Sequence, residues 1–236
     1  MFERVHGILR AVTIKCIRQH EVARFRDIGI ADFGWPDRLF SSTVTEALHL
    51  VALHDPRRFK RIEQMIGWVA NQATAHGGLA EYHSDLSACF IDFPRLAPVS
   101  EDRFRLACVA CILVYEATHG LIEHRGIRYS PETRGRIERL CVFEQNRFAS
   151  RLQAVDPRLC SGLDWDFRES DWEPSWSASP AGSVLSYLRR DHAGLHSSSQ
   201  SVSARKGLVA RARRALLSLP YFHSRSPEHE SHTNAG

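Results

Sequence analysis

The chain has 236 residues, of which 43% are apolar and 25% are charged, and its formal net charge is +4. A chain of this size and composition can bury one sizeable core, so we expect a soluble globular protein. The small net charge does not by itself indicate a nucleic-acid partner. The longest apolar run, residues 106–115, has about half of the roughly 20 residues that a membrane span needs, so no transmembrane helix is predicted.

Helical spacing dominates the first third of the chain. Residues 2–26 alternate apolar and basic side chains as a helix does, and their early charges argue against a secretory signal. A cytoplasmic location is therefore expected. Residues 41–53 predict a second helix, and an amphipathic pattern over residues 56–73 predicts a third, which begins at Pro56 and is closed by glycines 77 and 78.

The middle of the chain combines a strand signal with a buried helix. Residues 79–93, which are bounded by Pro94, predict a short β-hairpin or edge strand. The next helix begins after Ser100, is apolar on every side and ends near Gly126, so it should be buried. Another helix follows from Ser130 to about Gln153. The predicted fold is mainly α with a small β component: a helical bundle with a hairpin beside a buried helix.

Composition divides the chain into three predicted parts. Residues 1–160 form the helical domain, and residues 161–203 form an acidic, tryptophan-containing and then serine-rich flexible linker. Residues 204–236 form a basic C-terminus, in which residues 204–219 have one apolar and one basic helical face. Such a helix could dock on an anionic membrane surface or a partner protein, or remain a solvated tail. Nucleic acid is not the expected partner, because no aromatic side chain interleaves with the basic residues.

The cysteines show no disulfide framework. They lie in mostly apolar neighbourhoods and are predicted to be reduced, buried thiols. The six positions are Cys16, Cys89, Cys108, Cys111, Cys141 and Cys160. The two in the buried helix have CxxC spacing, but without a second pair they do not predict a zinc site.

The apolar run of the buried helix ends in Val-Tyr-Glu-Ala-Thr-His, which differs at one position from the zinc-binding pattern HExxH. In that pattern two histidines four residues apart hold zinc and the glutamate activates water. The chain has three Glu-x-x-His pairs, at positions 3/6, 46/49 and 116/119, so the pair alone is weak evidence. The setting favours the third pair, because ionisable groups in a buried helix need a partner or a metal. A preceding strand could also seat an extended peptide.

Residues 113–120, together with residues 136–141 on the next helix, resemble the small gluzincin-type zinc metallopeptidases. Bacterial members read Val-His-Glu-Ala-Thr-His at this place, and the resemblance covers roughly residues 45–153. It implies that His119 is the second zinc ligand, that Glu116 is the catalytic general base and that Glu138 is the third ligand. Tyr115 stands in place of the first histidine, and a phenol with a pKa near 10 is a poor zinc ligand at neutral pH. Zinc is therefore expected to bind weakly or not at all.

Two glutamates on the last helix compete for the inward position. Helical periodicity favours Glu144, whereas the separation of 19 residues from His119 favours Glu138. We give more weight to the separation, and a salt bridge from Glu144 to Arg134, Arg136 or Arg147 is the alternative for that residue.

The expected function is that of a zinc-metallopeptidase-like protein with an altered metal site, weak or inactive as a peptidase. One alternative is a non-catalytic protein that binds a peptide or a protein partner, and another is an adaptor that acts through residues 204–219. A third possibility is structural: Tyr115, Glu116 and His119 would form a buried hydrogen-bonded cluster that fixes helix packing without a metal.

Overall fold

The computed structural model describes residues 2–33, 38–74, 78–96, 102–159 and 168–170. These residues are mainly helical with one mixed sheet, so the predicted α+β class is confirmed. The predicted tail helix and nearly all of the predicted linker lie outside the described residues.

The described residues form six α-helices and five β-strands, and a 3-10 turn, Ser84–Leu86, joins β4 to β5. In chain order they are α1 Phe2–Gln19, β1 Glu21–Phe25, β2 Ile28–Asp32, α2 Arg38–His54, α3 Pro56–Met65, β3 Trp68–Asn71, β4 Ala80–His83, β5 Ala88–Ile91, α4 Phe93–Leu96, α5 Asp102–His124 and α6 Arg134–Val155.

The sheet has the strand order β1-β2-β3-β5-β4. Its three central strands are parallel, and the two outer strands pair with them antiparallel. Alternate side chains of the central strands pack on opposite faces, as strand geometry requires. Ile30 and Val69 pack in the main core with α2 and α5, whereas Ala31 and Ala70 pack against Ile17 of α1.

Helix α5 lies at the centre of the packing, where it contacts α2, α3, α6 and β4. Its buried residues occur on every side, which confirms the prediction of a helix that is apolar all round. The helix is long and apolar enough to cross a membrane, but 72% of the relevant segment is buried inside the protein. Such burial is typical of the core helix of a soluble protein. The left-handed turn predicted at its end is also present, since Gly126 has a φ of 78°.

Two predicted helices were too long. The first ends at Gln19 and the third at Met65, and strands β1, β2 and β3 take up residues that were assigned to helices or left unassigned. The reason is long-range pairing: the backbone amides of Gly67 and Trp68 both donate to the carbonyl of Ser87, at 2.7 and 3.1 Å. Such pairing overrides a weak local periodicity.

The predicted hairpin is confirmed as β4 and β5, with Ala80 opposite Ile91 and His83 opposite Ala88. The sheet around it is larger than the expected helical bundle with one hairpin. The last helix begins at Arg134, a few residues later than predicted. The five cysteines within the described residues are free thiols, and four of them are buried, as expected.

Strand β4 lies very close to α5 at Gly120. A Cβ atom at this position would lie 2.8 Å from Cζ of Tyr82, well inside van der Waals contact. The Tyr82 ring cannot move away freely, because its hydroxyl donates a hydrogen bond of 3.0 Å to the carbonyl of Met65. Gly120 therefore sets the distance between the strand and the helix.

We expect Gly120→Ala to lower the free energy of unfolding by about 1–3 kcal/mol, the usual cost of an overpacked contact, although alanine favours a helix. Gly7→Ala in α1 is the matched control, because a Cβ there would meet nothing within 4 Å. The control should be neutral or stabilising by up to about 1 kcal/mol. Urea unfolding measures both, and equal effects of the two substitutions would contradict the close approach.

Candidate functional site

Successive side chains of α5 face different neighbours because each residue turns the helix by about 100°. Tyr115 and His119, four residues apart, face α6, where Tyr115 packs with Ile137 and Cys141. Thr118 faces α3 and accepts a hydrogen bond of 2.9 Å from Nη1 of Arg61. The end of α5 therefore carries one polar surface toward α6 and another toward α3.

The surface toward α6 centres on the carboxylate of Glu138, whose side chain is only 6% exposed. The hydroxyl of Tyr115 donates a hydrogen bond to Oε2 of Glu138, and the hydroxyl of Tyr129 donates to Oε1 at 2.6 Å. Nε2 of His119 lies 3.5 Å from Oε2. We call Tyr115, His119, Tyr129 and Glu138 the tyrosine cluster. Three groups thus satisfy one buried carboxylate.

The tyrosine cluster holds Glu138 in its charged form. Burial alone would raise the pKa of this carboxyl, but the interactions with His119 and with the two phenols outweigh burial and lower it. Burial opposes the charge on His119 as well, yet its hydrogen bonds to Cys141 and Glu138 raise the pKa of the imidazole well above its usual value. Burial and the charge on Glu138 raise the pKa of Tyr115 well above 10. These shifts favour an ion pair between His119 and Glu138 beside a neutral phenol at Tyr115.

Glu116 differs from Glu138 in having no such support. It is only 4% exposed, and no described residue donates a hydrogen bond to its carboxyl group. Burial raises the pKa of Glu116 to about 7, His119 acts against the shift, and the nearby charge of Glu138 adds to it. The charges of Glu81 and His83 on β4 also act on this pKa, which places Glu116 near that strand. A carboxyl group with a pKa near 7 can exchange a proton at neutral pH.

Three of the predicted site residues converge, namely Tyr115, His119 and Glu138. The choice between the two glutamates of α6 is also clear, because Glu138 is in the tyrosine cluster and Glu144 is not. Glu144 forms ion pairs with Arg58 and Arg61 of α3, at 3.1 and 3.0 Å. The sequence suggested salt bridges from Glu144 to arginines of its own helix, but the partners in the structure belong to α3.

Two members of the site were missed. Tyr129 lies in the connection between α5 and α6, where no periodicity indicates which way a side chain points. Cys141 was assigned only as a buried thiol, but it lies beside His119 and helps to raise the pKa of that imidazole. Its position three residues after Glu138, on the same face of α6, was the one signal that could have placed it near the site.

The side chains present do not fit the zinc ion that the resemblance implies. A catalytic zinc site needs three protein ligands, and they must bind in their deprotonated form. Here a phenol stands where a histidine is needed, burial raises the pKa of that phenol and so opposes its deprotonation, and the Glu138 carboxylate already accepts hydrogen bonds from Tyr115 and Tyr129. Within the described part of the chain, no group of three or more His, Cys, Asp or Glu residues could hold a metal ion.

Glu116→Gln tests the cost of burying this carboxyl group. A raised pKa means that the folded state binds the proton more tightly than the unfolded state, so the wild type loses stability as pH rises from about 4.5 through 7. The neutral glutamine avoids that loss. The variant should gain stability over the wild type by roughly 2 kcal/mol between pH 5 and pH 8, measured by urea unfolding at both values.

Glu46→Gln is the matched control, since Glu46 belongs to another Glu-x-x-His pair of this chain and is exposed on α2. It should change stability by less than about 0.5 kcal/mol at both pH values. A pH-independent effect of Glu116→Gln would show that Glu116 does not ionise near neutral pH.

Comparison with known proteins adds no relative to this picture. No protein-family model, no curated protein and no solved structure matches the chain. The resemblance to the gluzincin-type metallopeptidases therefore remains a prediction from residues 113–141.

Proposed function

We propose that this protein is a metallopeptidase-like protein with an altered metal site, which binds extended peptides without cleaving them through zinc. The observation that carries the proposal is the hydrogen bonding of Glu138 by Tyr115 and Tyr129. These two phenols donate hydrogen bonds to both oxygens of the carboxylate that would otherwise bind the zinc ion. The general base predicted for the family, Glu116, is retained beside them.

Strand β4 is the proposed peptide-binding element. It is the last strand of the sheet at its end, and it pairs only with β5 among the described strands. The backbone amide of Asp92 donates a hydrogen bond to the carbonyl of Leu79. Because hydrogen-bonded and non-hydrogen-bonded residue pairs alternate along an antiparallel ladder, the backbone N–H and C=O groups of Ala80 and Tyr82 point away from β5. An extended peptide can add to the sheet through such outward groups.

The charges near β4 support the same assignment. Glu81 and His83 lie 3.3 Å apart on one face of β4, between Oε1 and Nε2, and both act on the pKa of Glu116. A peptide added at this edge would therefore lie near a titratable carboxyl group. No described residue donates a hydrogen bond to Glu116, so its carboxyl group could accept a hydrogen bond from a ligand.

We also propose that the protein acts in the cytoplasm. The five described cysteines are free, and four of them are buried where oxidation would require unfolding. Free thiols of this kind suit a reducing compartment.

Tyr115→His tests the altered metal site. It adds an imidazole four residues before His119 on the face of α5 toward Glu138 and removes one of the phenols bound to that carboxylate. We expect the variant to bind one zinc ion at least about 100-fold more tightly than the wild type, since it gains a direct ligand. Competition with a chromophoric zinc chelator measures the affinity.

Two controls separate ligation from loosening of the cluster. Tyr129→Phe removes a phenol without adding a ligand and should leave zinc affinity within about threefold of the wild type. Tyr115→His combined with His119→Ala should return the affinity to the wild-type level. Stoichiometric zinc in the wild type, lost in His119→Ala, would disprove the altered site; no zinc in Tyr115→His would disprove the metallopeptidase geometry.

Ala80→Pro tests the edge of β4. The substitution removes an amide that points away from β5, and proline is tolerated at the first residue of a strand. We expect the isotope-labelled wild type to show amide shifts at β4 with a pool of unstructured ten-residue peptides, and mass spectrometry to show the peptides intact. The variant should lose at least about tenfold in apparent affinity, the loss expected for one main-chain hydrogen bond and its alignment.

Val22→Pro in β1 is the matched control, since β1 is the other edge strand of the sheet and Val22 is exposed. Shifts that persist in Ala80→Pro, or that weaken equally in the control, would exclude β4 as the binding edge.

A further inference from the structure

A second polar site lies between α3 and α6, where arginines surround a small cavity of about 100 Å³. Its lining comprises Arg57, Arg58, Arg61, Glu144, Arg147 and Arg151. We call this the arginine pocket. It shares no residue with the tyrosine cluster or with β4, so it requires an explanation of its own.

The base of the arginine pocket is buried and partly neutralised. The side chains of Arg58 and Arg61 are only 6% and 16% exposed, and both pair with the carboxylate of Glu144. Asp55, which is fully buried, pairs with Arg58 and with Nη1 of Arg151 at 3.2 Å. Two carboxylates thus face five guanidinium groups, so these residues carry a net charge of +3, and Arg57 and Arg147 have no acidic partner among them.

Hydrogen-bond donors are also in excess. Each guanidinium has five N–H donors. One of these donors, the Nε–H of Arg58, is buried and has no hydrogen-bond partner. Arg57 and Arg147 line the rim, are exposed, and form no hydrogen bond or ion pair with any described residue. A buried cation costs free energy unless its donors and its charge are satisfied. Helix packing alone would require only the two arginines that bind Glu144.

The size and polarity of the cavity select the ligand class. Pockets for drug-sized apolar molecules have about 300–1,000 Å³, so a cavity of about 100 Å³ with a charged lining suits one small anion. Guanidinium groups bind oxyanions through paired, parallel N–H···O hydrogen bonds, and arginine is the residue of choice for phosphate. A phosphoryl group carries several acceptor oxygens and up to two negative charges, which match the excess of donors and charge.

We propose that the arginine pocket binds a phosphoryl group, either free phosphate or the phosphate of a small phosphomonoester. Arg58 and Arg61 form its base and Arg57, Arg147 and Arg151 its rim. Arg61 also bonds to Thr118 of α5, so the ligand joins α3, α5 and α6 at one point. The site is independent of the proposed peptide binding, since neither uses the residues of the other.

The test titrates the full chain with inorganic phosphate, pyrophosphate and O-phosphoserine at constant ionic strength, and follows the Nε–H resonances of the arginine side chains by NMR. Saturable shifts of Arg58 and Arg61 at millimolar concentration or below are expected. Tighter binding of O-phosphoserine than of inorganic phosphate identifies a phosphomonoester as the ligand, and the reverse order identifies the free ion.

Arg57→Gln combined with Arg147→Gln should weaken phosphate binding at least about tenfold, because two charge-assisted contacts are lost. Both side chains are exposed, so the fold should be unaffected. Lys60→Gln combined with Arg136→Gln removes the same charge from the same two helices outside the pocket and should weaken binding less than about twofold. Absence of saturation with all three probes, or equal weakening in the two double variants, would overturn the proposal.

Discussion

A buried carboxylate, that of Glu138, determines how the last two described helices fit together. Removing a charged group from water costs several kcal/mol, and the cost is offset only when the interior supplies good hydrogen bonds and an opposite charge. Tyr115, Tyr129 and His119 supply both. Because these three groups come from α5 and from the connection to α6, satisfying Glu138 fixes the rotation of both helices. Loss of any donor would leave part of the charge unsatisfied.

Helix α6 carries a second carboxylate that faces a different neighbour. Glu144 follows Glu138 by nearly two turns and pairs with Arg58 and Arg61. One helix is therefore held against α5 through one acid and against α3 through another. This division explains why helical periodicity alone favoured the wrong glutamate as the partner of His119: the apolar face of α6 is flanked by polar contacts on both sides.

The sequence predicts what local signals encode. The buried α5 follows from its composition, the β4–β5 hairpin from its turn residues, and the meeting of His119 with Glu138 from a spacing that a known family shares. Pairings between distant residues carry no such signal. The parallel pairing of Gly29 with Trp68 converts predicted helix into strand, and the bond from Arg61 to Glu144 spans 83 positions. Tyr129 escaped prediction for the same reason, since a loop side chain has no periodicity to orient it.

The two glutamates near His119 argue for different roles. A cluster that serves packing alone should leave few polar groups unsatisfied, and Glu138 meets that expectation. Glu116 has no described hydrogen-bond donor, and burial raises its pKa to about 7, so its charged form lacks the support that Glu138 has. Tyr115 accounts for the satisfied carboxylate of Glu138 and for the poor fit of the cluster to zinc. It does not account for Glu116, whose burial lowers stability at neutral pH. In the proposed function, a peptide added at the β4 edge supplies the hydrogen-bond donor that Glu116 lacks, and for this reason we propose binding rather than packing alone for the site.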